Sequence, residues 1–375
     1  MTPLRPASLR RPGPSIEPPS GALPLPDPSE EIGPAFCNAR QPPLPIAGMD
    51  DVAVSARPRG RIPAVNVALF LTTVATTLCM GFLASPLARG PFSEQVTEAL
   101  RGGLPAAAAL ASEVVRGGFP FAGALVAILL AHEMGHYVLA RRHGVDATLP
   151  FFIPVPFGAG TLGAVIRIRS PLPSRRATLE IGAAGPIAGF LLALPLLLWG
   201  LAHSEVVSIA ERAGAFPASP YQALHAWLTG AAVSGELTGY GESALTWLAA
   251  RLLHGPIPAG AVIAVHPVAF AAWLGLYVTA LNLVPLGQLD GGHVLYALLG
   301  RRAARAGSRV VSAGLLASGL FLSWAWIMWW VLTRFVVGLG HPPALQEEPL
   351  SPAHRALAVL SLVLFALTFV PVPFS

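Results

Sequence analysis

Two histidines and a glutamate fall within five positions, His132-Glu133-Met134-Gly135-His136, inside an otherwise apolar stretch running from Phe119 to Ala140. Residues four apart on an α-helix lie one above the other, so both imidazoles can reach one metal ion. Glu133 sits about 100° round that helix, where its carboxylate can meet a water instead of the metal. Zinc lowers the pKa of such a water toward ~7, and a neighbouring carboxylate can take the proton as the water attacks a carbonyl. Two histidines leave a catalytic zinc one protein ligand short. The stretch Leu281-Asn282-Leu-Val-Pro285-Leu-Gly-Gln-Leu289-Asp290-Gly291-Gly292-His293 supplies a candidate in Asp290, and its proline and glycines break a helix there. Taken alone, Asp290 serves equally well as the cap of a helix-ending turn.

The elements that must position these groups are those of a membrane. The chain has 375 residues, 54% hydrophobic and only 11% charged, against roughly 25% charged in soluble domains. That excludes a soluble protein. All 24 basic residues are arginine, a trace of a GC-rich genome that points to a bacterial source. They lie in short bursts between apolar runs, with no basic face that would take nucleic acid. Residues 1–62 are rich in proline with mixed charges and no period, which predicts a disordered cytoplasmic tail without a signal peptide. Residues 63–375 read as a six-helix membrane domain with a catalytic core over 119–310. The spans are 63–85, 119–140, 179–202, 260–284, 310–336 and 355–372. The stretch 103–115 is too short to cross and reads as an interfacial helix. Cys37 and Cys79 read as unpaired thiols.

Arginine bias sets the orientation. Arg57, Arg59 and Arg61 precede the first span. Arg141, Arg142, Arg167, Arg169, Arg175 and Arg176 follow the second, and Arg301, Arg302, Arg305 and Arg309 follow the fourth. The joints 203–259 and 337–354 carry glutamates instead. The first set is cytoplasmic, with both termini inside and a multi-pass protein of a bacterial inner (plasma) membrane. Ionisable groups at membrane depth cost ~2.5–3.5 kcal/mol each, so three in five positions demand a purpose.

With H-E-x-x-H at 132–136 and N-x-x-P-x-x-x-L-D-G at 282–291, the chain resembles the site-2 protease family of intramembrane zinc metalloproteases, bacterial members above all. Gly182-Ala-Ala-Gly185-Pro186-Ile-Ala-Gly189 is similar to the family's glycine-proline motif. The resemblance covers about 119–310. It implies one catalytic Zn2+ held by His132, His136 and Asp290, with Glu133 as general base and Asn282 steadying the oxyanion or the substrate backbone. It departs at Gly287, where many members carry a second proline. His293 is left to hold Asp290 or a water. The implied fold is an all-α polytopic membrane protein with about six transmembrane helices and a short β-hairpin or edge strand on the cytoplasmic side. Residues 149–170, with their glycines and late alternation, suit that hairpin, where a substrate strand could add by main-chain bonds. Gly185 and Gly189 form G-x-x-x-G, a surface for close helix approach; Trp324, Trp326, Trp329 and Trp330 read as lipid-facing or interfacial packing. The remaining histidines, His341 among them, read as structural.

The function expected is an intramembrane endopeptidase cutting transmembrane protein or peptide substrates within the lipid bilayer. The alternative is a polytopic divalent-metal transporter using His132, His136 and Asp290 as a transit site. Transport asks for ionisable groups along a whole path; here they cluster at one depth beside a base. No PDZ module is expected in the joint 203–259, no regulatory domain at the C-terminus, and nothing in the sequence fixes the oligomeric state.

Overall fold

A computed structural model describes residues 63–373 apart from 86, 89, 90 and 209–240. The tail expected over 1–62 and much of the joint 203–259 lie outside the described residues. Among the described residues, three helices are long and apolar enough to cross a membrane: α1 (Ala64–Leu83), α3 (Gly103–Arg142) and α4 (Arg175–Ala202). Between α1 and α3 lies the short α2 (Phe92–Arg101). After α4 come α5 (Ala244–His254), α6 (Pro267–Asn282), α7 (Asp290–Phe321), α8 (Trp324–Leu332) and α9 (Pro352–Thr368). The protein is mostly helical, with two small antiparallel sheets, β1 (Phe151–Pro154) with β2 (Thr161–Val165) and β3 (Glu205–Ser208) with β4 (Ala261–Ala264).

The first sheet is the hairpin expected within 149–170. Phe151 pairs with Val165 and Phe152 with Ala164, and an irregularity follows before Pro154 meets Thr161. The start of α1 holds its base, since the Asn66 amide donates to the carbonyls of Leu149 (3.1 Å) and Pro150 (2.8 Å). Higher up, the Thr76 hydroxyl donates to Gly160 O (2.7 Å). The second sheet pairs the start of the 203–259 joint with residues 261–264, which the expected span 260–284 includes; the helix there begins only at Pro267.

Two expectations about the helices are corrected. The stretch 103–115 is no separate interfacial helix but the first part of the 40-residue α3. Its alanines have the highest helix propensity, and Pro105 falls in the first turn, where its missing N–H has no acceptor to lose. At about 1.5 Å per residue this helix is about 60 Å long, twice a bilayer core. The expected span 310–336 is also not one helix. The Ser323 hydroxyl caps a new helix by accepting from Ala325 N (3.4 Å), and α8 lies back along the end of α7. Gly319 permits this, because a Cβ there would stand 2.8 Å from Ile327 N. Trp326, expected toward lipid or at the interface, is instead buried, with its indole N–H donating to Pro371 O (2.6 Å).

α7 itself breaks at Gly300 (φ 77°, ψ 172°). Its second part doubles back, so that the Gly287 amide donates to the Ser308 hydroxyl (3.2 Å). The fold-backs change the parity of the chain. α9 starts where His354 meets Glu180 in the first turns of α4 (2.8 Å). It ends where Gly241 N donates to Pro373 O (3.1 Å) and the Trp273 indole, early in α6, donates to Gly241 O (2.8 Å). Residues 370–373 therefore sit at the β3–β4 end of the helices, opposite the start of α1.

The core lies where α3, α4 and α6 meet. Ile128, Leu197, Trp273 and Leu276 interleave with Ala269 and Ala272, and Gly275 faces Ile128. Leu71, Leu191, Trp199 and Val359 remain exposed on helix flanks, as lipid-facing positions do. α1 joins the bundle through glycines of α3, since a Cβ on Gly118 would stand 2.1 Å from Leu78 O. Gly118→Ala is therefore expected to push α1 from α3 and cost about 1–3 kcal/mol, read as a lower Tm in detergent. Gly314→Ala, with nothing within 4 Å, should leave Tm unchanged or higher; equal Tm values for both variants would contradict this packing.

Candidate metal centre

His132, Glu133 and His136 are all buried on the inner face of α3. Asp290 comes to them as the first residue of α7. The path from Asn282 to Asp290 is tight, and glycine makes it feasible: Gly287 has φ +56°, and a Cβ on Gly291 would stand 1.9 Å from Leu283 O. The helix cap is Leu289, without a side-chain bond. The Asp290 carboxylate is thus not spent as a cap. It points at the histidines instead, with Oδ2 3.3 Å from His132 Nε2 and 3.2 Å from His136 Nε2.

The two Nε2 atoms are themselves 3.2 Å apart. Four donors set tetrahedrally at about 2.0 Å from a zinc ion stand about 3.3 Å from one another. The observed triangle has that edge. Its chemistry says the same. His136 Nδ1 donates to Ile181 O (2.7 Å), which leaves Nε2 as a lone-pair acceptor. A carboxylate oxygen and an imidazole lone pair this close, out of water, repel unless a proton or a metal cation lies between them. The three residues form a group able to hold a metal ion, with all ligand atoms within 4.8 Å of one another. They fit zinc.

α4 closes the site from behind at the range of a backbone contact. A Cβ on Gly185 would stand 2.0 Å from His136 Nε2, and one on Gly189 would stand 3.3 Å from His132 Nδ1. On the facing helix, a Cβ on Gly135 would meet Ala184 O at 2.5 Å. The close approach expected of the G-x-x-x-G pair is what lets two imidazoles fit between α3 and α4.

A cavity of about 210 Å³ opens on the group and is lined by Glu133, Asn282, Gln288, His293 and the β2 edge from Ala164 to Ile166, among others. The Ile166 backbone N–H lies within hydrogen-bond reach of the Glu133 carboxylate. The Asn282 amide nitrogen lies 3.3 Å from His132 Nε2, at the rim of the metal group. His293 belongs to the wall and not to the triangle, with Nδ1 2.6 Å from His341 Nε2.

His341, read from sequence as structural, supports the wall of the cavity through His293, a contact that spacing could not reveal. Its Nδ1 donates to Pro342 O (2.6 Å), and its ring stacks on Tyr296 at 4.3 Å. Burial holds this imidazole below its ordinary pKa. Neutral and with Nδ1 donating, it offers Nε2 as acceptor, so His293 Nδ1 must be the donor. His143 and His354 were likewise set aside, yet both meet Glu180 (2.7 and 2.8 Å), which Arg176 also binds (2.8 Å). The only sequence signal was a carboxylate near a membrane face, which needed partners.

The fold and the site define a class: a polytopic helical protein with a buried metal group of two histidines and one carboxylate. Residues 120–326 match the model of Peptidase family M50, and the chain belongs to that family. Among curated proteins it is similar to the probable zinc metalloprotease EGY2, chloroplastic, of Arabidopsis thaliana, 32% identical over 254 residues, covering 66% of this chain and 41% of that protein. The EGY2 protein of Oryza sativa subsp. indica is 30% identical over 252 residues, 66% of this chain and 42% of the relative. The probable zinc metalloprotease EGY1, chloroplastic, of Oryza sativa subsp. japonica is 31% identical over 247 residues, 66% and 39% respectively. The chain thus spans about two fifths of the length of these relatives.

Gly185→Ala places a methyl group on His136 and is expected to weaken zinc binding about 10–100-fold, the usual cost of disturbing groups that orient a ligand. Zinc content by elemental analysis, with helix content checked by circular dichroism, reads the effect. Full zinc occupancy in a folded variant would refute the close packing of α4 on the site.

Proposed function

We propose that this protein is an intramembrane zinc endopeptidase that hydrolyses peptide bonds in or near transmembrane segments of membrane proteins. The observation that carries this reading is the metal triangle with edges of 3.2–3.3 Å, opening on a cavity that also holds a free carboxylate and a strand edge. His132, His136 and Asp290 hold the metal, and the names of the relatives supply zinc. A bound zinc ion would supply Lewis-acid polarisation and activate water at neutral pH.

The rest is the work of the chain. Glu133, with the Ile166 N–H within reach of its carboxylate, takes the proton of the attacking water and returns it to the leaving amine. Asn282 offers its amide to the developing oxyanion or to the substrate backbone. A transmembrane helix hides its carbonyls in its own hydrogen bonds, so it must be drawn out before it can be cut. The edge of β2 over Ala164–Ile166, turned to the cavity, is suited to accept an extended strand.

The membrane setting follows the same logic. The bilayer is the partner of the apolar helices, and the arginine-rich joints beside the hairpin and at Arg301–Arg309 put that end of the helices in the cytoplasm. The start of α1 is then cytoplasmic and the end of α9 is not. The relatives are chloroplastic; for this chain, arginine as its only basic residue favours a bacterial plasma membrane. The membrane domain is 63–375 with its catalytic core at 119–310, preceded by the cytoplasmic tail 1–62.

Glu133→Gln in the full chain, reconstituted with a panel of transmembrane peptides, should lower kcat by about 10²–10⁴-fold while zinc stays bound. His132→Ala with Asp290→Ala should abolish both zinc and cleavage. Cleavage at the wild-type rate by Glu133→Gln would sink the assignment of the base. Zinc retained by the double variant would sink the ligand set.

A further inference from the structure

A second cavity, of about 320 Å³, is lined by Arg175, Leu298, Leu299, Pro349, Leu350 and Arg355. It lies where the starts of α4 and α9 meet the end of the first part of α7. We propose that it binds the phosphate of an anionic phospholipid headgroup, a role independent of the peptidase reading.

Charge carries the first part of the argument. Arg176 is matched by Glu180 at 2.8 Å and Arg141 by Asp146 at 3.7 Å. Arg175 and Arg355 have no carboxylate partner among the described residues, and none lines the cavity. Arg175 is anchored rather than free: its Nε (3.1 Å) and Nη2 (2.5 Å) donate to Ala297 O, capping the helix end before Gly300. The remaining guanidinium N–H groups are left for a ligand, held in a fixed fork suited to phosphate. The starts of α4 and α9 add their positive dipole ends to the same region.

Shape carries the second part. Between the arginines the wall is apolar, and Leu350 continues into the core with Leu179, Val294, Ala297 and Ala358. Free phosphate gains nothing from such a wall. A phospholipid does, because its glycerol and upper acyl carbons can cover Leu298 and the half-exposed Leu299. A basic pocket between helices at a membrane face is the usual chemistry of lipid headgroup sites.

Each arginine near a membrane surface contributes ~1 kcal/mol to holding an anionic lipid, which is about fivefold in affinity. The test is native mass spectrometry of the full chain in detergent, titrated with dioleoyl phosphatidylglycerol, dioleoyl phosphatidylcholine or inorganic phosphate. Phosphatidylglycerol should be retained at least tenfold more tightly than phosphatidylcholine. Arg355→Gln should lose about fivefold of its affinity, and Arg175→Gln with Arg355→Gln about twentyfold. Arg302→Gln, at an exposed arginine outside the cavity, should lose none. Because Arg175 also caps a helix, Arg355→Gln and Leu299→Glu carry the test if the double variant does not fold. Equal retention of the two lipids, or wild-type retention by Arg355→Gln, would overturn the proposal. Complete displacement of the lipid by millimolar phosphate would overturn it in favour of a free-anion site.

Discussion

Three lone-pair atoms, two of imidazole and one of carboxylate, stand within 3.3 Å of one another in a buried part of the protein. Without a proton or a metal ion between them such an arrangement is repulsive, and in a low dielectric it is more so. Everything nearby is arranged to keep it. Ile181 O fixes the tautomer of His136, Gly185 and Gly189 admit the rings between α3 and α4, and Gly291 lets the chain fold under Asp290. The site is therefore less a set of ligands placed on a scaffold than a scaffold whose contact distances are set by the ligands.

That dependence explains where the glycines concentrate. On α4, Gly182 meets His293 and Gly185 meets His136; in the first turn of α7, Gly291 and Gly292 lie against backbone carbonyls of 283–287. A methyl group at any of them would stand under 3 Å from its neighbour, which real Cβ atoms do not tolerate. Small residues here are positioning devices for the metal group as much as they are means of helix association.

The centre was the most legible part of the sequence, because its signal is short-range. A spacing of four puts two imidazoles on one face wherever a helix forms, and the break at Pro285 and Gly287 announced that Asp290 enters on irregular backbone. The hairpin was legible for a like reason, through glycines followed by alternation. Apolar runs were not so informative. A run of 27 residues from 310 to 336 has the length of one tilted span, yet Ser323 starts a second helix inside it. Hydropathy alone cannot tell one crossing from a folded pair. The β3–β4 pairing and the contact of His341 with His293 are tertiary facts that join residues 48 or more positions apart. The continuity of α3 through 103–117 rests on alanine helix propensity, which hydropathy and span length do not register.

Glu180 and Ile181 are neighbours on α4. One binds His143, Arg176 and His354; the carbonyl of the other receives His136. A single helical turn is thus pinned both to the metal group and to the ends of α3 and α9. A rotation of α4 would carry the Ile181 carbonyl away from His136. α1 is bonded instead to the hairpin, through Asn66 and Thr76. The protein is consequently stiff on one side of its cavity, and on the other side a helix and a β-hairpin are coupled as one body.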